Sequence, residues 1–196
     1  MANSEMDPNS VSSQPTIVRS TGSTVLFIVI AAICVLGLGS ILVGDFTLRG
    51  LAVAGIPFAI LTAVYVLYRF PRVELHAGEL ALINPLQSVH IPWNLVDGFD
   101  THFGLGVRTL EKTYSSWPLA SRGKKMEKGE DGVRRLMDNP NPAVDSVLDR
   151  YASLSDAELS NPRGERAIVA NWNVGVITAL VVAIIWAIIG FAAVPS

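Results

Sequence analysis

The sequence predicts a membrane protein of mixed class, with three transmembrane helices and one small α+β domain between the second and third. Three observations predict it. Half of the 196 residues are hydrophobic, and the mean hydropathy is +0.41. Charged residues make up only 16%, against about a quarter in ordinary globular domains. The deficit is uneven, because three stretches carry almost no charge and a central block holds most of it.

The first stretch is Thr24–Gly44, TVLFIVIAAICVLGLGSILVG, with no charged residue. A helix rises about 1.5 Å per residue, so this run covers roughly the 30 Å of a bilayer core. The second is Gly50–Tyr68, GLAVAGIPFAILTAVYVLY, again uncharged. Pro57 lies inside it and predicts a kink, which membrane helices tolerate when neighbours satisfy the freed backbone groups. The third is Val174–Val194, VGVITALVVAIIWAIIGFAAV. Trp172 precedes it, and Tyr65 and Tyr68 close the second run. Aromatic residues of this kind favour the membrane–water interface.

A chain of this size cannot bury three such helices on all sides, which argues against core helices of a soluble protein. A cleaved signal peptide fits the first run poorly. The run is too long for an h-region, and no A-x-A site follows. Lipoprotein processing at Cys34 is disfavoured by Ile33, which stands where a small residue is needed. Cys34 is the only cysteine, so no internal disulfide forms, and a thiol in an apolar run acts as a small hydrophobe.

Small residues recur at every fourth position: Gly55, Ala59 and Ala63 in the second run, and Gly175, Ala179, Ala183 and Ala187 in the third. Such stripes let helix backbones approach closely in lipid. They are the candidate helix-packing residues, within one chain or between chains. No Asp, Glu, Lys, Arg or His falls within the three apolar cores, which argues against a proton relay, ion pathway or transporter.

Positive charge flanking the spans predicts orientation. Arg19 precedes the first span, Arg69 and Arg72 follow the second, and Arg163 and Arg166 precede the third. Arg49 alone lies in the opposite connection. The expectation is a cytoplasmic N-terminus and central domain, with the C-terminal tail external. Residues 1–22, rich in Ser, Asn and Thr, are expected to be disordered.

The central domain, residues 70–165, begins with β-structure. Val73, Leu75 and Ala77 alternate with Glu74 and His76, and Gly78 marks a turn. Leu80, Leu82 and Ile83 follow, then Asn84-Pro85-Leu86-Gln87 with turn chemistry, then Val89 and Ile91 around His90. These are strand–turn–strand units of an antiparallel meander. Gly98, Gly104 and Gly106 suggest bends or bulges. Val107–Leu119 reads as one longer strand, and Ser121–Gly132 as a polar loop. Asn141-Pro142 opens a helix with proline at its first position. Its apolar stripe is Val144, Val147, Leu148, Tyr151 and Leu154, a face expected to cover the sheet. Ser155 with Glu158 fits a capping box, and Asn161-Pro162 is expected to start a helix continuing into the third span.

Two membrane helices, then RVELHAGELALINPLQSVHIPW at 72–93, a later Tyr-Ser-Ser-Trp segment and a final membrane helix together resemble the small bacterial PH-like membrane proteins common in actinobacteria. His90-Ile91-Pro92-Trp93 is the most telling piece. Pro92, Trp93 and Trp117 match the family's signature positions, where I-P-W leads from the third strand into a turn and the later Trp ends a returning strand. The resemblance implies a bent, partly open antiparallel sheet capped by a helix, in a bacterial inner membrane. It implies no catalytic activity. A full PH fold has seven strands, and residues 72–119 have room for about five.

The reactive residues form no recognisable constellation. His76, His90 and His102 have no zinc-ligand spacing, and alternation puts His76 and His90 on the polar face of their strands. Asp97 and Asp100 lie near a turn, where carboxylates cap and solvate. Gly104-Leu105-Gly106 is too short for a phosphate loop. No enzyme, cofactor or metal is expected, and a net charge of −2 argues against a nucleic-acid partner. The candidate binding residues are basic: Arg122, Lys124, Lys125 and Lys128, with Arg134 and Arg135 close behind. Such a segment attracts anionic lipid, but Glu127, Glu130 and Asp131 dilute its field. The expected function is a non-catalytic interaction scaffold or accessory subunit, in contact with the lipid bilayer and with a membrane-protein partner or a second copy. The alternative is an anionic-lipid sensor at the inner membrane surface.

Overall fold

The computed structural model describes residues 15–44, 46–101, 104–117, 119, 124–128, 134–138, 141–155, 159 and 167–193, with backbone alone for 124–128 and 134–138. Three helices are long and apolar enough to cross a membrane, and a separate antiparallel sheet domain accompanies them. The apolar helices suggest a membrane protein.

The first span, α1, is Thr21–Gly44. The second covers Leu48–Arg69 and is interrupted. It runs as α2, Leu48–Val53, then α3, Gly55–Val64, and ends in a π-helical turn, Tyr65–Arg69. The interruption at Ala54 has a plain cause. Pro57 has no N–H to offer the carbonyl of Val53, and proline costs no helical bond within the first turn of a helix, which is where α3 places it. α1 and the third span pack on either side of the second.

The main sheet has five strands. They are β1 (Thr16–Val18), β2 (Arg72–Leu75), β3 (Glu79–Ile83), β4 (Gln87–Pro92) and β10 (Val169–Trp172), in the order β1-β2-β3-β4-β10. Every neighbouring pair is antiparallel. Alternation sends Val73, Leu75, Leu80, Leu82, Val89 and Ile91 into the core. His76 and His90 lie on the other face, where His76 Nε2 is 3.3 Å from Glu74 and His90 Nδ1 is 2.9 Å from Glu79. Pro92 sits in β4 beyond the last residue that pairs with β10, where its missing N–H leaves no ladder bond unmade.

A second, three-stranded sheet is formed by β5 (Gly98–Asp100), β6 (Gly106–Arg108) and β7 (Thr113–Ser115). A hairpin follows, β8 (Lys124–Lys128) with β9 (Arg134–Asp138). Helix α4, Pro142–Ala152, is capped by Asn141, whose side chain accepts from the Ala143 N–H. Val144, Val147 and Leu154 are buried in the core, with Leu148 and Tyr151 packed against it. α5, Val174–Ala193, is the third span.

Four expectations change. Residues 107–119 hold two strands, because Thr109 closes a turn. Its N–H and hydroxyl both donate to the Lys112 carbonyl, at 3.1 and 2.8 Å. A hydroxyl turn without Gly or Pro leaves little mark on β-propensity. Residues 124–128 are a strand, since β9 supplies a ladder that local composition does not reveal. Residues 16–18 of the expected disordered segment form β1, ordered by pairing with β2; residues 1–14 lie outside the described set. The residues before the third span, 169–172, are a strand paired with β4 and not a continuing helix. The sheet domain therefore recruits residues on both sides of 70–165. Of the capping box, Glu158 lies outside the described residues, while the Leu159 N–H donates to the Ser155 carbonyl at 3.2 Å.

Candidate functional site at the helix–sheet junction

The register places the membrane connections together. Val18 pairs with Val73, Arg72 with Ile83, Ile83 with Ser88 and Gln87 with Trp172. The exit of β1, the entry of β2 and the exit of β10 therefore lie at one end of the main sheet, beside the β3–β4 turn. The links are short: Arg19 and Ser20 lead to α1, Phe70 and Pro71 lead from the second span, and Asn173 leads to α5. Links this short leave the sheet little freedom to turn relative to the helices.

Polar side chains then clasp the junction. The Asn173 N–H donates to the Leu86 carbonyl at 2.8 Å, its Nδ2 to the Asn84 carbonyl at 2.7 Å, and its Oδ1 accepts from the Ser88 hydroxyl at 2.8 Å. Its own carbonyl accepts the first helical bond of α5, from Ile177 at 3.0 Å. Asn84 reaches the other way. Its Nδ2 donates to the Ser115 carbonyl at 3.0 Å, and its Oδ1 accepts from the Trp117 N–H at 2.7 Å. Two asparagines thus tie the third span, the β3–β4 turn and the end of the second sheet into one unit.

Trp117 adds the second span. Its indole N–H donates to the Leu67 carbonyl at 3.1 Å. In an α-helix that carbonyl would accept from residue 71, and residue 71 is proline. The indole supplies the donor that proline lacks. Trp117 is 61% exposed, as an interfacial tryptophan can be while its ring lies among lipid headgroups. Trp93, by contrast, is buried in the core, where its indole N–H donates to the His76 carbonyl at 3.1 Å.

Beneath the clasp lies a cavity of about 640 Å³. Ala63, Val66 and Leu67 of the second span and Leu180 of the third form its apolar wall. Asn84, Gln87 and Ser115 line its polar end, with Pro85, Leu86 and Trp117 beside them. Ser116 also lines it, but its hydroxyl is buried with no hydrogen-bond partner.

The packing residues are divided by the structure. A side chain at Gly55 would meet Trp186, with the Trp186 carbonyl oxygen at 2.7 Å. Ala183 is fully buried, and Ala59, Ala63 and Ala187 are half-buried. Gly175 has open space around it, and Ala179 is exposed. Gly190, absent from the fourfold stripe, packs against the backbone of Ala52 and Val53. Trp186 donates its indole N–H to the Leu51 carbonyl at 3.2 Å, beside the break in the second span. At the far end Arg49 donates to the Ala193 carbonyl at 3.1 Å, a cation serving the carbonyl end of a helix.

Of the basic residues, Arg122 lies outside the described set. Lys124, Lys125 and Lys128 fall on β8, in register with Asp138, Met137 and Arg134. His102 is also outside it. Among the described residues no group of three His, Cys, Asp or Glu is placed to hold a metal ion. Of the clasp residues, Asn84 is legible in the sequence only as turn chemistry and Asn173 not at all, because their partners are 31 to 89 residues away.

Replacing Asn84 with alanine removes two of these bonds, each worth about 1 kcal/mol, and leaves the Trp117 N–H without its acceptor. The expected result is a lower thermal midpoint in detergent and faster amide exchange over residues 113–117. Unchanged exchange there would show that the clasp does not hold the junction.

No protein-family model, curated protein or solved structure matches this chain.

Proposed function

We propose that this chain is a non-catalytic scaffold or accessory subunit of a bacterial inner-membrane complex, presenting a PH-like domain at the cytoplasmic surface. One observation carries the reading. All three membrane connections enter one end of the main sheet through links of one or two residues. A tether that rigid suits a module whose task is to hold a surface at a set height and angle above the bilayer. A domain that searches for a distant ligand would be served by a flexible linker.

Several features support the PH-like reading. β1 to β7 supply seven strands in two antiparallel sheets before α4 covers the core. The strand missing from residues 72–119 is provided by residues 16–18, which precede the first span, and the Thr109 turn divides the expected long strand in two. Pro92 closes β4, and Trp93 starts a single 3-10 turn, Trp93–Leu95. For orientation, Arg19, Arg69 and Arg72 gather at the sheet end and Arg49 at the other, the bias expected of a cytoplasmic domain. Gly175 and Ala179 leave a smooth strip on the third span for a partner helix or a second copy.

The test is purification of the tagged full-length protein in mild detergent from its own membranes, with mass spectrometry of the eluate. A stoichiometric membrane partner, or a homo-oligomer that Gly175→Val dissociates, is the expected result. A monomer with no companion, together with turnover of any substrate, would overturn it. Fusion reporters at the two termini check the orientation, with only the C-terminal one expected outside.

A further inference from the structure

We infer that the cavity under the β3–β4 turn is a binding site for one acyl chain of a bilayer phospholipid. The inference rests on the membrane reading and goes beyond the scaffold role. The cavity's chemistry changes along its length. Ala63, Val66, Leu67 and Leu180 belong to the spans, whereas Asn84, Gln87 and Ser115 belong to the sheet domain above them. An apolar chain beneath a polar head matches that gradient in one orientation only.

Size separates a lipid chain from a protein helix. A helix about 10–12 Å across fills roughly 500 Å³ for each turn. The cavity, at about 640 Å³, would hold little more than one turn, so no membrane-spanning partner fits within it. It does fall in the range of about 300–1,000 Å³ typical of small-molecule sites. Its walls are also held by bonds that do not involve an occupant. The Trp117 indole is fixed on the Leu67 carbonyl, and Asn84 and Asn173 fix the turn above. A pre-formed cavity binds without the ordering cost of building its walls.

The site differs from the lipid-facing surface of α1, where Ile28, Val29 and Ile33 are simply exposed. Those positions meet exchanging bulk lipid and supply the internal control.

The test uses the full-length chain in nanodiscs of phosphatidylethanolamine and phosphatidylglycerol, doped with phosphatidylglycerol carrying a diazirine on one acyl chain. A parallel sample carries the same diazirine on a free fatty acid. After photolysis, labelled residues are mapped by mass spectrometry. The expected result is phospholipid labelling at Leu67, Leu86, Trp117 and Leu180, severalfold above that at Ile28 and Ile33. Ala63→Phe and, independently, Leu180→Trp fill the cavity from opposite walls and should remove the first set while leaving the second. Retained labelling of α1 reports that each variant is still inserted. Cavity labelling no stronger than that of α1, labelling that survives both filling variants, or labelling by the fatty acid alone would overturn the inference. Absence of label on α1 as well would instead overturn the membrane reading on which it rests.

Discussion

Trp93→Ala is expected to lower the stability of the sheet domain by about 3–5 kcal/mol, the usual cost of deleting a buried aromatic ring. Trp93 is only 2% exposed and lies in the core with Leu80, Ile91 and Val144. Its ring packs against Tyr151 at 6.2 Å between centroids, and Tyr151 in turn meets Phe99 at 5.2 Å. The ring thus joins α4 and the second sheet to the main one. Its indole N–H donates to the His76 carbonyl, so truncation also strips an acceptor of its partner. A domain typically has about 5–15 kcal/mol of stability to lose, which makes this single change close to disabling. Unfolding in detergent, followed by amide exchange over β2 to β4, is the measurement. Trp117→Ala is the control, because that ring is largely exposed. It should loosen the junction and leave exchange within β2 to β4 nearly unchanged. Equal effects at the two positions would show that Trp93 is not the keystone of this core.

Gly190→Val is expected to separate the third span from the first half of the second. A Cβ at residue 190 would meet the Ala52 carbonyl oxygen, and lie 3.1 Å from the Ala52 carbonyl carbon and 3.3 Å from the Val53 Cα. All three are backbone atoms, so no rotamer change relieves the contact and the helices must move apart. Overpacking of this kind costs about 1–3 kcal/mol, or more when the backbone is rigid. The movement would also pull the Trp186 indole from the Leu51 carbonyl, leaving that group unsatisfied in hydrocarbon at further cost. Titration of the mixed-micelle protein with a denaturing detergent should show a markedly earlier transition. Gly37→Val and Gly39→Val make the comparison, since a side chain at either meets nothing within 4 Å. A Gly190→Val protein as resistant as those two would refute the packing described.

The fourfold stripe of small residues follows the helix contacts within the chain over only part of its length, and the reason is geometric. A strict period of four drifts around a helix of 3.6 residues per turn. The stripe begun at Gly175 therefore starts off the contact, meets it at the fully buried Ala183 and is turning away by the half-buried Ala187. Gly190 then takes over, set by where Ala52 and Val53 pass.

Much of this protein can be read directly from its sequence. An uncharged run long enough to cross a bilayer has few other stable fates, so α1, the second span and α5 follow from composition alone. Alternation in 72–92 determines β2, β3 and β4, because one face must be apolar and the other wet. Asn141-Pro142 and the stripe from Val144 to Leu154 determine α4 in the same local way. The tertiary structure decided the rest. β1 and β10 are strands because β2 and β4 offer them ladders, although residues 19–71 and 93–168 intervene. β8 exists through β9. The bond from Trp117 to Leu67 depends on a proline at 71 and a strand end fifty residues away meeting in space. Local pattern encodes which face of an element is apolar. Which groups complete one another's hydrogen bonds across the chain is settled only when the pieces are brought together.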